Sequence, residues 1–186
     1  MFPWIRFTAA MVRARRMPPL APGDVQRETL RVMPWDIDYQ FELNNGRIIT
    51  LFDIVRIPML IRMNVLKATS ERGWYGTVLG SSLRYRRRIT LFQKIELRCR
   101  TLGVDERFIY IEQGIFRGGE CCAHALIRIG ITPGKGIVPP REVLEALGMD
   151  TSWPLPDWVH AWTEADKERP WPPMQDDVLH AALKPD

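Results

Sequence analysis

The chain has 186 residues, 46% of them hydrophobic, enough for one sizeable core in a single domain. Its net charge of +4 and pI near 9.2 are unevenly placed: Arg6, Arg13, Arg15 and Arg16 fall in residues 1–23, which hold no acid, and the remainder is neutral. That balance excludes a broad basic surface for nucleic acid, and no uninterrupted apolar run reaches the roughly 18–20 residues of a transmembrane helix.

Residues 1–16 alternate aromatic, small apolar and Arg, the pattern of a short amphipathic helix. Arg6 interrupts the apolar part and the charge follows it, so the segment does not read as a secretory signal. Two readings stand for it: docking onto the domain or a dimer partner, or lying on an anionic membrane surface. Residues 17–23, with Pro18, Pro19, Pro22 and Gly23, read as a linker.

A first strand is expected from Glu28 to Trp35, with Leu30 and Val32 alternating against Thr29 and Arg31. After it come Asp36, Asp38, Glu42, Asn44 and Asn45, immediately ahead of a run in which Ile48, Phe52, Val55, Met59, Met63 and Leu66 recur every three or four residues. The spacing predicts one long helix, apolar nearly all round and so buried, kinked or divided at Pro58. A helix start carries N–H groups without intrahelical partners. A carboxylate beside them can work on a carbonyl whose oxygen those groups stabilise. The plainer alternative has Asn44 or Asn45 as the cap and the acids as solvated loop residues.

Beyond Gly73 the period changes to two, and strands are expected over 80–89, 94–102, 107–116 and 120–131. Residues 103–106 and Gly118-Gly119 read as hairpin connections. One helix followed by meandering strands defines an α+β protein whose antiparallel sheet wraps the helix. Pro139-Pro140 opens a short helix ended by Gly148. Residues 150–186 hold Trp153, Trp158, Trp162 and Trp171 among six prolines, and 157–168 reads as a helix packed along the domain or a partner subunit.

Within the strand expected over 80–89, alternation sends Arg84, Arg86 and Arg88 to one face and Tyr85 and Arg87 to the other. The three arginines suit a clamp for phosphates, as on coenzyme A, or a charged face that discourages edge pairing. Glu112 and Gln113 project to opposite faces of an apolar strand, and the inward one needs a partner, a place being open beside Asp38. His124, His160 and His180 have no metal-site spacing, and Cys99, Cys121 and Cys122 form no C-x-x-C. An odd cysteine count suits a reducing, cytoplasmic compartment. The absence of G-x-S-x-G disfavours a serine hydrolase.

The stretch from Asp36 to Ile48 resembles D-x-D-x-x-x-H-x-N-N-x-x-Y of the hotdog-fold acyl-CoA thioesterases, in the hydroxybenzoyl-CoA thioesterase-like branch. The stretches GSSLRYRRRI, FIYIEQ and the run from Pro139 to Leu147 look like the same family, so the resemblance covers roughly residues 28–147. It departs from the motif at Glu42, where His is usual, and at Ile48, where Tyr is usual. The resemblance implies a hotdog fold and hydrolysis of acyl-CoA-type thioesters without metal or other cofactor. It also implies assembly as a homodimer or tetramer with sites at the subunit interface. Asp38 falls on the family's carboxylate position, as general base or nucleophile. Glu42 competes for that role, N–H groups near Asn44 and Asn45 polarise the carbonyl, and Arg84, Arg86, Arg88 and Gln113 are candidate substrate contacts. The resulting division is an arm over 1–23, a thioesterase-like domain over 24–149 and a C-terminal arm over 150–186. The alternative is a hotdog module that binds acyl-CoA, or scaffolds a membrane-proximal complex, with catalysis lost.

Overall fold

The computed structural model describes residues 2–173; His180 and the end of the C-terminal arm lie outside them. The chain divides into two compact units, residues 1–154 and 155–186. In the first, helix α1 (Trp4–Ala14) precedes strand β1 (Gln26–Arg31) and a 3₁₀ turn at Pro34–Asp36. Helices α2 (Asn45–Arg62) and α3 (Val65–Ser70) follow. Four strands come next, β2 (Tyr75–Tyr85), β3 (Lys94–Val104), β4 (Ile109–Arg117) and β5 (Glu120–Thr132), then helix α4 (Pro140–Ala146). The second unit contains helix α5 (Asp157–Lys167), carrying Trp158 and Trp162 one turn apart.

The five strands make one antiparallel sheet in the order β1-β3-β4-β5-β2. Alternation works as expected in β3, where Ile95, Leu97 and Cys99 are buried. Gly118 and Gly119 form the β4–β5 hairpin, both at positive φ (57° and 89°), the requirement of a two-residue type I′ turn. The sheet's inner face closes on α2, whose Leu51, Phe52, Val55 and Met59 are buried among Ile95, Leu97, Ile111, Ile115 and Ile127.

Several boundaries differ from the expected ones. The first strand ends at Arg31, because Pro34 starts the 3₁₀ turn that carries Trp35 and Asp36. Pro58 does not divide the helix; it lies inside α2 and is buried. The break comes at Asn64, whose φ of 60° is the left-handed conformation that ends a helix, a position asparagine tolerates. Burial of α2 is one-sided, since Ile49 is 46% exposed. Strand β2 runs from Tyr75 to Tyr85, five residues ahead of its expected start, and stops before the arginine triplet ends.

The N-terminal segment is part of the fold. Ala10 and Ala14 are buried, and Arg6 and Arg13 turn inward to carboxylates of the body. Arg13 Nη2 donates to Glu28 Oε2 at 2.6 Å, and Arg6 Nη1 to Asp36 Oδ2 at 2.7 Å. Half of the segment's arginines are thus engaged, while Trp4, Ile5, Val12, Arg15 and Arg16 face outward. Among the described residues, no helix is long and apolar enough to cross a membrane.

Candidate active site

Three pieces of chain meet at the N-terminus of α2: the loop 36–44, the first helical turn, and the segment leaving β2. The loop is pinned at its base. Asp36 has no exposed surface, and its Oδ2 accepts from Arg6 and from the Met33 N–H at 2.9 Å. Arg47 Nε stands 3.4 Å from Oδ1, and the Asp36 carbonyl accepts the Asn44 N–H at 2.9 Å. This acid is a structural anchor, not a solvated loop residue. Arg47 is a participant the sequence reading missed, although an arginine in the helix's first turn beside a D-x-D stretch was a usable signal.

Beyond the anchor, residues 38–41 turn back on themselves. The Phe41 N–H donates to the Asp38 carbonyl at 3.1 Å, and Phe41 takes a φ of 60°. Asp38 Oδ1 accepts the Gln40 N–H at 2.9 Å, an Asx-type turn that fixes the carboxylate's direction. Asp38 Oδ2 has no hydrogen-bond donor among the described residues. The return limb is held by the Leu43 N–H on the Ile89 carbonyl at 2.7 Å and by a bridge from Glu42 to Thr90.

Asn44 caps α2, its Oδ1 accepting the Arg47 N–H at 3.0 Å. Asn45 Oδ1 takes the Gly46 N–H at 2.8 Å, and the Ile48 N–H returns to the Asn44 carbonyl. Of the first-turn donors, the Asn45 N–H is left with no acceptor among the described residues.

A cleft of about 370 Å³ opens here, lined by Asp38, Glu42, Asn45 and Ile48 on one side and by Tyr85 and residues 86–89 on the other. The expected alternation of the arginines does not hold. The N–H groups of Arg86 and Arg87 both donate to the Cys122 carbonyl, at 2.8 and 3.1 Å, so the ladder ends in a bulge and the later arginines leave the pleat. Arg86, Arg87 and Arg88 line the cleft, and Arg84 does not. Arg87 is taken by Glu120 at 2.6 Å and Arg88 by Glu42 at 2.7 Å. Among the described residues no ion pair involves Arg86. Glu42, at the position where the resembled family has His, is therefore the partner of a cleft arginine.

Gln113 lies elsewhere. Fully buried under α2, it donates from Nε2 to the Phe52 carbonyl at 2.9 Å and accepts from Arg56 Nη1 at 3.1 Å. Glu112, on the opposite face, binds Arg100 and His124 instead of reaching towards Asp38. The His124 hydrogen bond, with Arg100 beside it, holds its carboxyl below the usual glutamate range. Among the described residues, no cluster of His, Cys, Asp and Glu has the arrangement of a metal site.

With a helix wrapped by an antiparallel sheet and a cleft at the helix start lined by Asp38, the chain has the architecture of the hotdog fold. It belongs to the Thioesterase-like superfamily, whose model matches residues 32–179. Among curated proteins it is similar to Protein THEM6 of Xenopus laevis, 33% identical over 82 residues, 44% of this chain and 40% of that protein. Protein THEM6 of Danio rerio is 29% identical over 119 residues, 63% of this chain and 57% of that protein. The chain thus spans about half the length of the curated relatives it matches. Among solved structures, the YbaW probable thioesterase from Escherichia coli superposes with a TM-score of 0.61 at 18% identity, covering 66% of this chain and 98% of that one. This last likeness shows the fold, and family membership supports thioester hydrolysis as the general class of chemistry.

Proposed function

We propose that the protein hydrolyses acyl-CoA-type thioesters in the cleft at the start of α2. The observation that carries this reading is the convergence on one cleft of a carboxylate oxygen, an unused helix-start N–H and a row of arginines. Asp38 Oδ2 is the base towards water, or the nucleophile; Oδ1 is fixed by the loop backbone and orients it. The Asn45 N–H, at the positive end of α2, receives the carbonyl oxygen as it gains charge. Arg86 meets the phosphates of coenzyme A, with Arg88 beside it tethered to Glu42. Steady-state assay against acyl-CoAs of varied chain length tests the reading, and the absence of turnover with every member rejects it.

The arginines make a separable contribution. Contacts to the phosphates exist in ground and transition states alike, so their loss raises KM more than it lowers kcat. Arg86→Gln is expected to raise KM by several-fold at low salt, with the effect shrinking as ionic strength rises. Arg84→Gln, outside the cleft, is the control. Equal effects of the two substitutions on KM return the arginine row to a charged face without a ligand.

One observation favours the second reading, a hotdog module that binds acyl-CoA without turning it over. Glu42 is tied to Arg88 and Ile48 has no polar atom, so neither replaces the proton donors of the resembled motif. Tight binding of acyl-CoA without hydrolysis is the result that selects it.

We also propose a homodimer at least. Strand β2 is an open edge of the sheet carrying exposed Tyr75, Val78 and Leu79, and α2 exposes Ile49. A long apolar edge left unpaired invites another strand. Light scattering is expected to give at least twice the mass of the chain; a stable monomer at micromolar concentration rejects the assembly.

A further inference from the structure

Beneath the C-terminal half of α2 lies a second cavity, about 170 Å³, walled by Leu60 of α2, Met63 just past its end, Leu66 of α3, Ile111 of β4 and Leu144 of α4, with Val78 of β2 at its rim. It begins near Arg56, eleven residues beyond Asn45, which at about 1.5 Å per residue is roughly 16 Å along the helix. Its few polar side chains are turned aside. Thr69 Oγ1 donates to the Val65 carbonyl at 2.8 Å, and the Thr101 hydroxyl faces the Met63 sulfur at 4.0 Å. Arg56 aside, the rest of the lining is apolar, and an enclosed apolar cavity of roughly 150 Å³ admits benzene or xenon. Its lining forfeits packing contacts that a hydrocarbon restores.

The cavity is not the inner end of the catalytic cleft. The two share no lining residue, and Gln113, 1% exposed, is bonded to the Phe52 carbonyl and to Arg56 on the part of α2 that lies between them in sequence. Access is from the opposite side, where Leu66 is 37% exposed. Arg56 is the charged side chain at the boundary, with a side-chain exposure of 11%. It gives one N–H to Gln113 and one to Asp53.

We propose that this cavity is a separate binding site for a free medium-chain fatty acid, its hydrocarbon tail among Leu60, Leu66, Ile111 and Leu144 and its carboxylate on Arg56. An acyl chain supplies the shape, and a carboxylate is the acceptor that a guanidinium takes with two parallel bonds. Asp53 is the built-in competitor for Arg56. Burial holds its carboxyl above the usual aspartate range, with Arg56 acting in the opposite sense.

Titration calorimetry of the full chain with octanoate, and with 1-octanol as a probe lacking the charge, tests the site. Octanoate is expected to bind saturably, one per chain, and more tightly than octanol. Arg56→Gln should remove that preference, and Asp53→Asn should increase octanoate affinity several-fold. Leu144→Trp fills the cavity and is expected to lower affinity for both probes at least tenfold. Leu66→Trp does the same from the exposed rim on α3. Absence of saturable binding, or binding that both tryptophans leave unchanged, overturns the proposal. A separate site predicts that Leu66→Trp keeps turnover of a short acyl-CoA; joint loss of turnover and octanoate binding shows the cavity to be part of the catalytic cleft instead. Failure of octanoate to bind leaves the thioesterase reading untouched, because that reading is judged by turnover in the cleft.

Discussion

Asp38→Asn is expected to lower kcat for acyl-CoA hydrolysis by at least about 10²-fold, the lower end of what a positioned base contributes, with KM nearly unchanged. The substitution keeps the side chain's volume and its capacity to accept from the Gln40 N–H, so the Asx-type turn survives. What it removes is the anionic oxygen that faces the cleft. A thioester carbonyl is already a good electrophile, so the loss falls on water activation or attack, and the Asn45 N–H keeps its part, which for an oxyanion donor is roughly 10²–10³-fold. Glu42→Gln separates the two acids. It frees Arg88 and should change KM more than kcat, since the Glu42 carboxylate is already bonded at 2.7 Å. Activity lost with Glu42→Gln but kept with Asp38→Asn would reverse the roles and leave the enzyme class standing. Indifference to both changes would sink the thioesterase proposal.

Asp36→Ala is expected to be the most destabilising single change near the site. Removing one partner from a buried ion pair costs about 3–5 kcal/mol, because the other charge stays desolvated. At roughly 2–4 °C per kcal/mol for a chain of this size, the melting temperature should fall on the order of 10 °C. Arg6 is one stranded partner and Arg47 the other, with side-chain exposures of 20% and 13%. The double substitution Arg6→Ala/Asp36→Ala should cost less than the sum of the singles, since the two changes remove one interaction. Additivity within experimental error, measured by thermal melts of the four proteins, would show that the pair is not coupled. Asp36→Asn is expected to impair hydrolysis less than Asp38→Asn, now for a concrete reason: Asp36 has no exposed surface from which to reach a substrate.

Local periodicity carried most of the architecture. The spacing from Ile48 onward is a property of neighbours on one helix, and the alternation in β3 a property of one strand, so both could be read without knowing what lay opposite. Pro58 was over-read because a proline's missing N–H is local, whereas tolerance of it depends on the packing around Met59 and Val55. Asn64 was under-read, although asparagine is one of the few residues that accept its left-handed conformation. The arginine row failed for a non-local reason: where alternation stops is decided by the Cys122 carbonyl on a strand more than thirty residues away. Asp36 and Arg6 are likewise thirty residues apart, and nothing near either names the other. Asp38, Glu42 and Asn45 line one cleft and could be read together because they are near neighbours in the chain. The separation of Gln113 and Arg84 from that cleft required the register of the sheet.

The span matched by the family model starts at residue 32, after α1 and β1. Yet α1 holds Asp36 through Arg6, and Asp36 holds the N–H of Asn44 at the base of the loop that carries Asp38. The first helix is therefore a lever whose short arm ends at the loop that carries Asp38. Any binder that prefers α1 undocked must, by thermodynamic reciprocity, bind more weakly to a protein whose loop is locked by a ligand, and that ligand must weaken the binder by the same factor. A segment lying outside the matched family span thus sets how firmly the loop is held.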